Sequence, residues 1–330
     1  MKIAVFSAKP YDREYLDAAN VAEGHQLRYF DDLLDAETVG LAAGHDAVCI
    51  FVNDKADAAV LEALKRGGTN LVALRCTGFN NVDLKAAERL GTKVVRVVNY
   101  SPNAVAEHAV ALLLAVNRKI HRAYNRTRDF NFSLDGLMGF DFCGKTVAVV
   151  GTGKIGRVFA RIMVGFGCEV IGYDAFPSPE FEALGARYAV PGEIGTSADI
   201  ISLHCPLTPQ TYHIINADSL ARAKRGALLV NTSRGGLVDT EAAIEALKSG
   251  QLGGLALDVY EQEADLFFRD LSGTIITDEV LQRLVSFPNV IVTGHQAFFT
   301  REAMTTICQT TLRNASEFAS GEPLTNEIKA

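Results

Sequence analysis

The sequence has no excess of positive charge, no paired-cysteine motif and no long hydrophobic run, and each lack removes a class of function. Its 32 Lys and Arg against 39 Asp and Glu give a formal net charge of −7, the opposite of the basic footprint of a nucleic-acid binder. A local cationic pocket for a small anion is still allowed. The six cysteines (Cys49, Cys76, Cys143, Cys168, Cys205, Cys308) are scattered, with no C-x-x-C pair and no Cys/His spacing suited to zinc. They read as free, buried thiols of a reducing cytoplasm, and no metal site is expected. The longest fully apolar stretch, Ala109 to Val116, is eight residues, far short of the roughly 18 that suggest a transmembrane helix. Lys9, Asp12, Arg13 and Glu14 stand where a signal peptide would carry its apolar core. A cytoplasmic protein with neither membrane nor nucleic-acid partner is expected. Internal repeats and low-complexity tracts are also missing.

What is present is an ordinary globular composition: 330 residues, 48% hydrophobic and 22% charged, with a mean hydropathy of +0.12. At roughly 150 residues per domain this is about two domains, each able to bury a core. Short apolar runs alternate with helical spacing over the first hundred residues: KIAVF from Lys2, QLRYF from Gln26, AVCIFV from Ala47, LVALRC from Leu71 and KVVRVV from Lys93. Between them Ala58, Leu61, Leu64 and then Leu84, Ala87, Leu90 keep helical period, stopped by Gly67-Gly68 and by Gly91. Repeated β-α units, hence a parallel sheet, follow. Ser101-Pro102 opens a long apolar helix to about Ile120, followed by an arginine-rich passage (Arg118, Arg122, Arg126, Arg128) read as a solvated face or subunit contact. From Lys145 a second series begins, TVAVV, EVIGY, DIISLH, GALLVN, GLALDV and NVIVTG, six strands of a second doubly wound domain. The polar interval from about Asp265 to Leu281, with Leu266, Phe267 and Phe268, reads as an excursion that covers something or packs on a neighbour. A last helix runs from Arg301 to about Ser320, with Gly321 and Pro323 beyond.

The strongest local signal is Gly151-Thr152-Gly153-Lys154-Ile155-Gly156, directly after VAVV and opening a helical pattern. This is the dinucleotide fingerprint in its required setting: glycine permits the tight turn and close approach of a pyrophosphate to the amides of a helix N-terminus. The next run ends in Asp174, 18 residues after Gly156. A carboxylate there accepts from ribose hydroxyls and repels a 2′-phosphate, so NAD is expected rather than NADP.

In open parallel sheets ligands bind beyond the carboxyl ends of the strands. The polar residues ending the apolar runs therefore form one list: Gly151, Asp174, His204-Cys205-Pro206, Asn231-Thr232-Ser233-Arg234, Asp258 and His295. An arginine after the fourth run, a glutamate after the fifth and a histidine after the sixth supply what oxidation of a 2-hydroxy acid requires. Arg234 offers a planar fork of donors for a carboxylate and the adjacent C2 oxygen. His295 takes or returns the hydroxyl proton. Glu263, if hydrogen-bonded to that imidazole, orients it and raises its pKa.

With these residues in RCTGFNNVDL, NYSPNAVAEHA, VGTGKIG, SLHCPLT, NTSRGGLVD, LDVYEQEADLFF and TGHQAFFT, the chain resembles the NAD-dependent, D-isomer specific 2-hydroxyacid dehydrogenase family, closest to its bacterial fermentative members. The resemblance covers nearly the whole chain. It implies the catalytic set Arg234, Glu263 and His295 and the reversible, NADH-dependent reduction of pyruvate to D-lactate, or of larger 2-keto acids. It further implies a flavodoxin-like substrate domain made of 1–99 with 298–330, a Rossmann NAD-binding domain over 100–297, and a hinged cleft between them. Thr77 and Gly78 would give backbone N–H donors to the substrate carboxylate, Tyr100 a nearby hydroxyl, and Phe299 a wall for the methyl group, with Phe51 and Val52 beside it. The coenzyme would meet Gly151, Gly153, Lys154, Ile155, Gly156, Asp174, His204, Cys205, Pro206, Thr232, Ser233 and His295. Asp258 would hold the nicotinamide amide, tune the histidine and glutamate, or cap its own turn. Homo-oligomers, dimers or tetramers, are implied as well.

Within that superfamily, phosphoglycerate and glycerate dehydrogenases usually place proline after the glutamate, whereas Glu263 is followed by Ala264-Asp265-Leu266-Phe267-Phe268. Formate dehydrogenases carry glutamine in place of the glutamate. Some relatives sense NAD(H) and bind transcriptional partners, but the chain shows no added tail or linker to recruit one.

Overall fold

The computed structural model describes residues 1–190, 192–263 and 266–329. The chain divides into two compact units, Met1–Ser101 with Phe299–Ala330, and Pro102–Phe298.

In the first unit the five apolar runs become β1 (Lys2–Val5), β2 (Gln26–Tyr29), β3 (Ala47–Ile50), β4 (Leu71–Leu74) and β5 (Lys93–Val95). All pair in parallel, in the order β2-β1-β3-β4-β5, which is the flavodoxin-like arrangement. Every residue of β3 and β4 is buried, so these strands read as continuous apolar runs and not as alternation. The helix Ala58–Arg66 starts where Asp57 accepts the Val60 amide at 3.0 Å and buries Val60, Leu61 and Leu64. Leu84–Leu90 starts on Asp83 in the same way, and Gly91, at φ 65°, ends it. The C-terminal helix Arg301–Ser320 packs on Pro10–Glu23 and ends at Gly321, φ 73°.

In the second unit one more strand forms than the six expected: β6 (Thr146–Val150), β7 (Glu169–Tyr173), β8 (Arg187–Tyr188), β9 (Ile200–Leu203), β10 (Ala227–Asn231), β11 (Leu252–Leu257) and β12 (Val290–Val292). The extra strand, β8, is a two-residue edge strand, too short to show a period. The order β12-β11-β10-β9-β6-β7-β8 is parallel throughout, with the topological switch between β6 and β9. This is the Rossmann arrangement. One face is covered by Pro102–Arg118 and Lys154–Gly165, through Ala109, Leu113, Phe159 and Met163; Thr240–Ser249 and Glu279–Ser286 cover the other through Ile244, Leu247 and Leu284. Among the described residues no helix is long and apolar enough to cross a membrane.

Cys143 is exposed and Cys168 partly so, against the expectation of buried thiols, and two further expectations are refined. The long helix stops at Arg118; Lys119, at φ 51°, breaks it, and the arginine-rich passage is itself a helix, Ile120–Arg128, with no buried residue. Ile120, Ala123 and Tyr124 do recur at helical spacing, but in a short run crowded with basic residues and with none of them buried. The excursion after Glu263 packs on its own unit: Phe267 joins the core, with Leu266 and Phe268 partly buried against it. Ala264 and Asp265, which begin that stretch, lie outside the described residues.

Candidate active site

Register places the strand ends of the second unit in one row. Tyr173 pairs with Val150, Val150 with Leu203, Leu203 with Asn231, Asn231 with Leu257 and Leu257 with Val292. The residues that follow, Gly151, Asp174, His204, Thr232, Asp258 and Thr293, therefore leave the sheet along a common edge.

At the centre of that edge the glycine turn is shaped by what a side chain would strike. Gly151, at φ 97°, would place a Cβ 2.5 Å from the Cys205 amide nitrogen, and a Cβ on Gly156 would come 2.0 Å from the Gly151 carbonyl oxygen. Gly153 instead faces open space, caps Lys154–Gly165 with no side-chain hydrogen bond, and is exposed together with Lys154, while Ile155 is half-buried. The first amides of this helix thus point outward uncapped, the condition for holding a phosphate. Asp174 is half-buried and held: one oxygen accepts the Thr152 amide at 2.6 Å and the Thr152 hydroxyl at 3.2 Å, the other the Phe176 amide at 2.9 Å.

Nearby, among the described residues, Thr232 Oγ1 and His204 Nδ1 are buried without a hydrogen-bond partner. His204 turns inward: its Nε2 meets the Ser202 hydroxyl at 2.8 Å, its ring lies 4.9 Å from that of Phe159, and burial pushes its pKa down to about 3. It is a neutral structural imidazole, so the edge receives the backbone of this residue while the ring lies in the core. Cys205 is buried, its thiol raised to about 11 by that burial, and its carbonyl accepts from Ser233 Oγ at 2.7 Å; Pro206 is exposed. An uncapped helix N-terminus, a fixed acidic residue and the unpaired Thr232 hydroxyl along one edge fit a dinucleotide.

Farther along lie the three residues chosen for chemistry. Arg234 is half-buried and extended, its Nη1 donating to the Ser233 carbonyl at 2.7 Å and its own carbonyl accepting from Asn231 Nδ2 at 2.8 Å. Glu263 Oε1 stands 2.8 Å from His295 Nδ1, and Glu263 Oε2 accepts the Tyr260 amide at 2.9 Å. The Phe268 ring lies 5.8 Å from the imidazole. His295 has φ 55°, a left-handed conformation costly for a non-glycine residue.

That conformation is held by Asp258, which is wholly buried. Its Oδ1 accepts from Thr293 Oγ1 at 2.5 Å and from the Gln296 amide at 2.9 Å, and its Oδ2 accepts the Ala297 amide at 2.8 Å. His108 Nε2 stands 3.3 Å from the same Oδ1, while the Asp258 carbonyl accepts the His295 amide at 2.8 Å. Burial alone would raise the carboxyl pKa, but the bonds from His108, Thr293, Ala297 and Gln296 hold it below the usual range. Its oxygens are thus engaged with the loop that carries His295. Sequence reading missed His108 and Thr293; His108 stands beside Glu107 in a largely apolar helix, with no pattern that sets it apart.

In the first unit, Thr77 and Gly78 follow β4. The Thr77 hydroxyl donates to the Val97 carbonyl at 2.8 Å, the Thr77 carbonyl accepts from Arg96 at 2.9 Å and Cys76 Sγ donates to the Gly78 carbonyl at 3.2 Å. Tyr100, Phe51 and Val52 are half-buried, and Phe299 is exposed.

A fingerprint turn, an acidic residue after the second strand of a Rossmann sheet and a carboxylate-backed histidine define a nucleotide-dependent dehydrogenase. Residues 110–297 match the family described as D-isomer specific 2-hydroxyacid dehydrogenase, NAD binding domain. The D-lactate dehydrogenase of Escherichia coli K12 is 53% identical over 328 residues, covering 99% of this chain and 100% of that protein. The apo-structure of the Escherichia coli enzyme superposes with a TM-score of 0.92 at 51% identity, covering 99% and 100% of the two chains. That of D-lactate dehydrogenase with NAD+ from Lactobacillus jensenii gives 0.84 at 33% identity, covering 100% of each. The chain belongs to the D-isomer specific 2-hydroxyacid dehydrogenases and is an NAD-dependent oxidoreductase of that family.

Proposed function

We propose that the protein is a D-lactate dehydrogenase, reducing pyruvate to D-lactate with NADH and reversing the reaction when lactate and NAD are in excess. The observation that carries this reading is the 2.8 Å Glu263–His295 pair, lying along the edge that bears the glycine turn and Arg234, in a chain 53% identical over its length to an enzyme of that name.

NAD, when bound, supplies the hydride acceptor and donor at nicotinamide C4. Gly151, Gly153, Lys154, Ile155 and Gly156 would hold its pyrophosphate by backbone approach, Asp174 its ribose hydroxyls, and Cys205, Pro206, Thr232 and Ser233 its remaining edge. Since Glu263 accepts at Nδ1, that nitrogen carries the hydrogen, and Nε2 is left to exchange a proton with the substrate oxygen. In reduction His295 gives that proton to the C2 oxygen; in oxidation it takes it. Glu263 fixes the ring and compensates the charge it acquires. Arg234 binds the substrate carboxylate through its fork and polarises the neighbouring carbonyl. In this reading the first unit is the substrate domain: Thr77 and Gly78 offer amides to the carboxylate, Tyr100 a hydroxyl, and Phe299, Phe51 and Val52 apolar walls.

The same reading makes the protein a cytoplasmic homo-oligomer. Phe130, Phe132, Leu134 and Met138 are each more than 70% exposed in one short segment, an apolar surface that a second copy would cover. The test of function is a panel of 2-keto acids assayed with NADH and NADPH. Pyruvate with NADH should be the preferred pair; tight NADH binding without turnover on any acid would reject the assignment.

A further inference from the structure

The topological switch of the first unit lies between β1 and β3, and the crevice outside the strand ends at such a point is where open parallel sheets take ligands. After β1, Ser7 turns the chain at φ 54° and the helix Pro10–Glu23 begins, with Tyr11 and Asp12 in its first turn. After β3 comes Phe51, whose amide donates to Asp54 Oδ2 at 2.6 Å. Arg75, after β4, is 2% exposed; its Nε stands 3.3 Å from Asp12 Oδ1 and its Nη2 donates to the Ser7 carbonyl at 3.0 Å. Among the described residues its Nη1 is buried without a hydrogen-bond acceptor. The guanidinium carbon lies 5.1 Å from the centroid of the Phe51 ring, a cation–π contact that offsets part of that loss. Phe51 is therefore tied to a buried charge and has little freedom to withdraw.

Phe299 is placed differently. It is 48% exposed and meets the Tyr11 ring nearly edge to face, with centroids 4.7 Å apart at 67°. Burial and the charge of Asp12, opposed by Arg75, push the Tyr11 hydroxyl up to about 12, so at neutral pH it presents an uncharged ring. Removing that ring takes away the edge-to-face contact on Phe299, while the Arg75 contact on Phe51 stays.

We propose that Tyr11 is a specificity-determining residue: through its ring contact with Phe299, and with Phe51 anchored separately by Arg75, it limits the length of the side chain that a 2-keto acid can carry. This rests on the function proposed above. A hydrophobic pocket discriminates one methylene by roughly 10- to 200-fold, so removing the Tyr11 ring should recover part of that factor for a longer acid.

The test measures kcat/KM with NADH for pyruvate and for 2-oxohexanoate in the wild type and in Tyr11→Ala, Tyr11→Leu and Tyr11→Phe. The Ala and Leu variants should shift the ratio toward the longer acid by more than about threefold and near tenfold, while Tyr11→Phe, which keeps the ring, stays within about twofold of wild type. If Tyr11→Ala does not fold, Tyr11→Leu decides. A ratio within about threefold of wild type in the folded variants, or an equal loss on both acids as a mere scaffold role would give, overturns the proposal. A wild-type enzyme that reduces neither acid defeats the functional reading itself, a result distinct from failed selectivity because it lies in the control.

Discussion

Glu263 bridges two parts of its own unit: one oxygen meets His295 Nδ1 at 2.8 Å while the other accepts the Tyr260 amide at 2.9 Å. The carboxylate is thus fixed to backbone before it fixes the imidazole, and the ring inherits that rigidity. Glu263→Gln keeps a hydrogen-bonding group but removes the charge that stabilises an imidazolium. Reduction should slow about 10- to 100-fold while NADH affinity stays within about threefold of the wild type. Steady-state kcat and an NADH fluorescence titration of both enzymes check this; an unchanged kcat would leave Glu263 with no part in the reaction.

His295 has φ 55°, a conformation that asparagine tolerates better than most residues. His295→Asn is therefore the substitution least disturbing to the loop. It should lower kcat by about 10² to 10⁴ while NADH affinity, read by fluorescence titration, moves less than about threefold. Near-normal turnover would remove His295 from the proton-transfer role.

Arg234→Lys preserves a positive charge but loses the planar fork. The KM for pyruvate should rise about 10- to 100-fold, matching the loss of one charge-assisted hydrogen bond of about 1.5–3 kcal/mol, with the KM for NADH little changed. An unaltered pyruvate KM would count against its carboxylate role.

Asp174→Asn keeps one acceptor oxygen, for either the Thr152 or the Phe176 amide, turns the other oxygen into a donor, and removes the charge that a 2′-phosphate would meet. The ratio of NADPH to NADH kcat/KM should rise at least about tenfold, a change of about 1.4 kcal/mol. No change would mean that discrimination lies elsewhere.

Asp258 is wholly buried, and its hydrogen bonds hold its carboxyl below the ordinary range. A depressed folded-state pKa contributes stability that is fully present above the unfolded value, near 3.9, and is lost as pH falls through the folded one. Asp258→Asn should destabilise the protein by about 2 kcal/mol or more at pH 7, with the gap to wild type closing only below about pH 4. Denaturant melts at pH 7 and in acid test both the size and the sign.

Most of the sheet was legible because strands buried on both faces, such as Ala47–Ile50 and Ile200–Leu203, leave unbroken apolar runs. Arg187–Tyr188 and Ile120–Arg128 were not, since a two-residue edge strand is too short to show a period and the short stripe Ile120, Ala123, Tyr124 is interrupted by basic residues and buried nowhere. The strand-end rule gathered Gly151, Asp174, Arg234, Asp258 and His295 onto one edge because in a parallel sheet every strand ends on the same side. It could not reach His108, which sits on a helix and meets Asp258 only through tertiary packing, nor show that the His204 ring turns inward onto Ser202.

The most direct measurement follows NADH oxidation with pyruvate and then determines the chirality of the lactate formed. Steady turnover yielding D-lactate alone is the expected result. Turnover yielding L-lactate, or NADH that binds and is not consumed, would contradict the proposed chemistry of Arg234, Glu263 and His295.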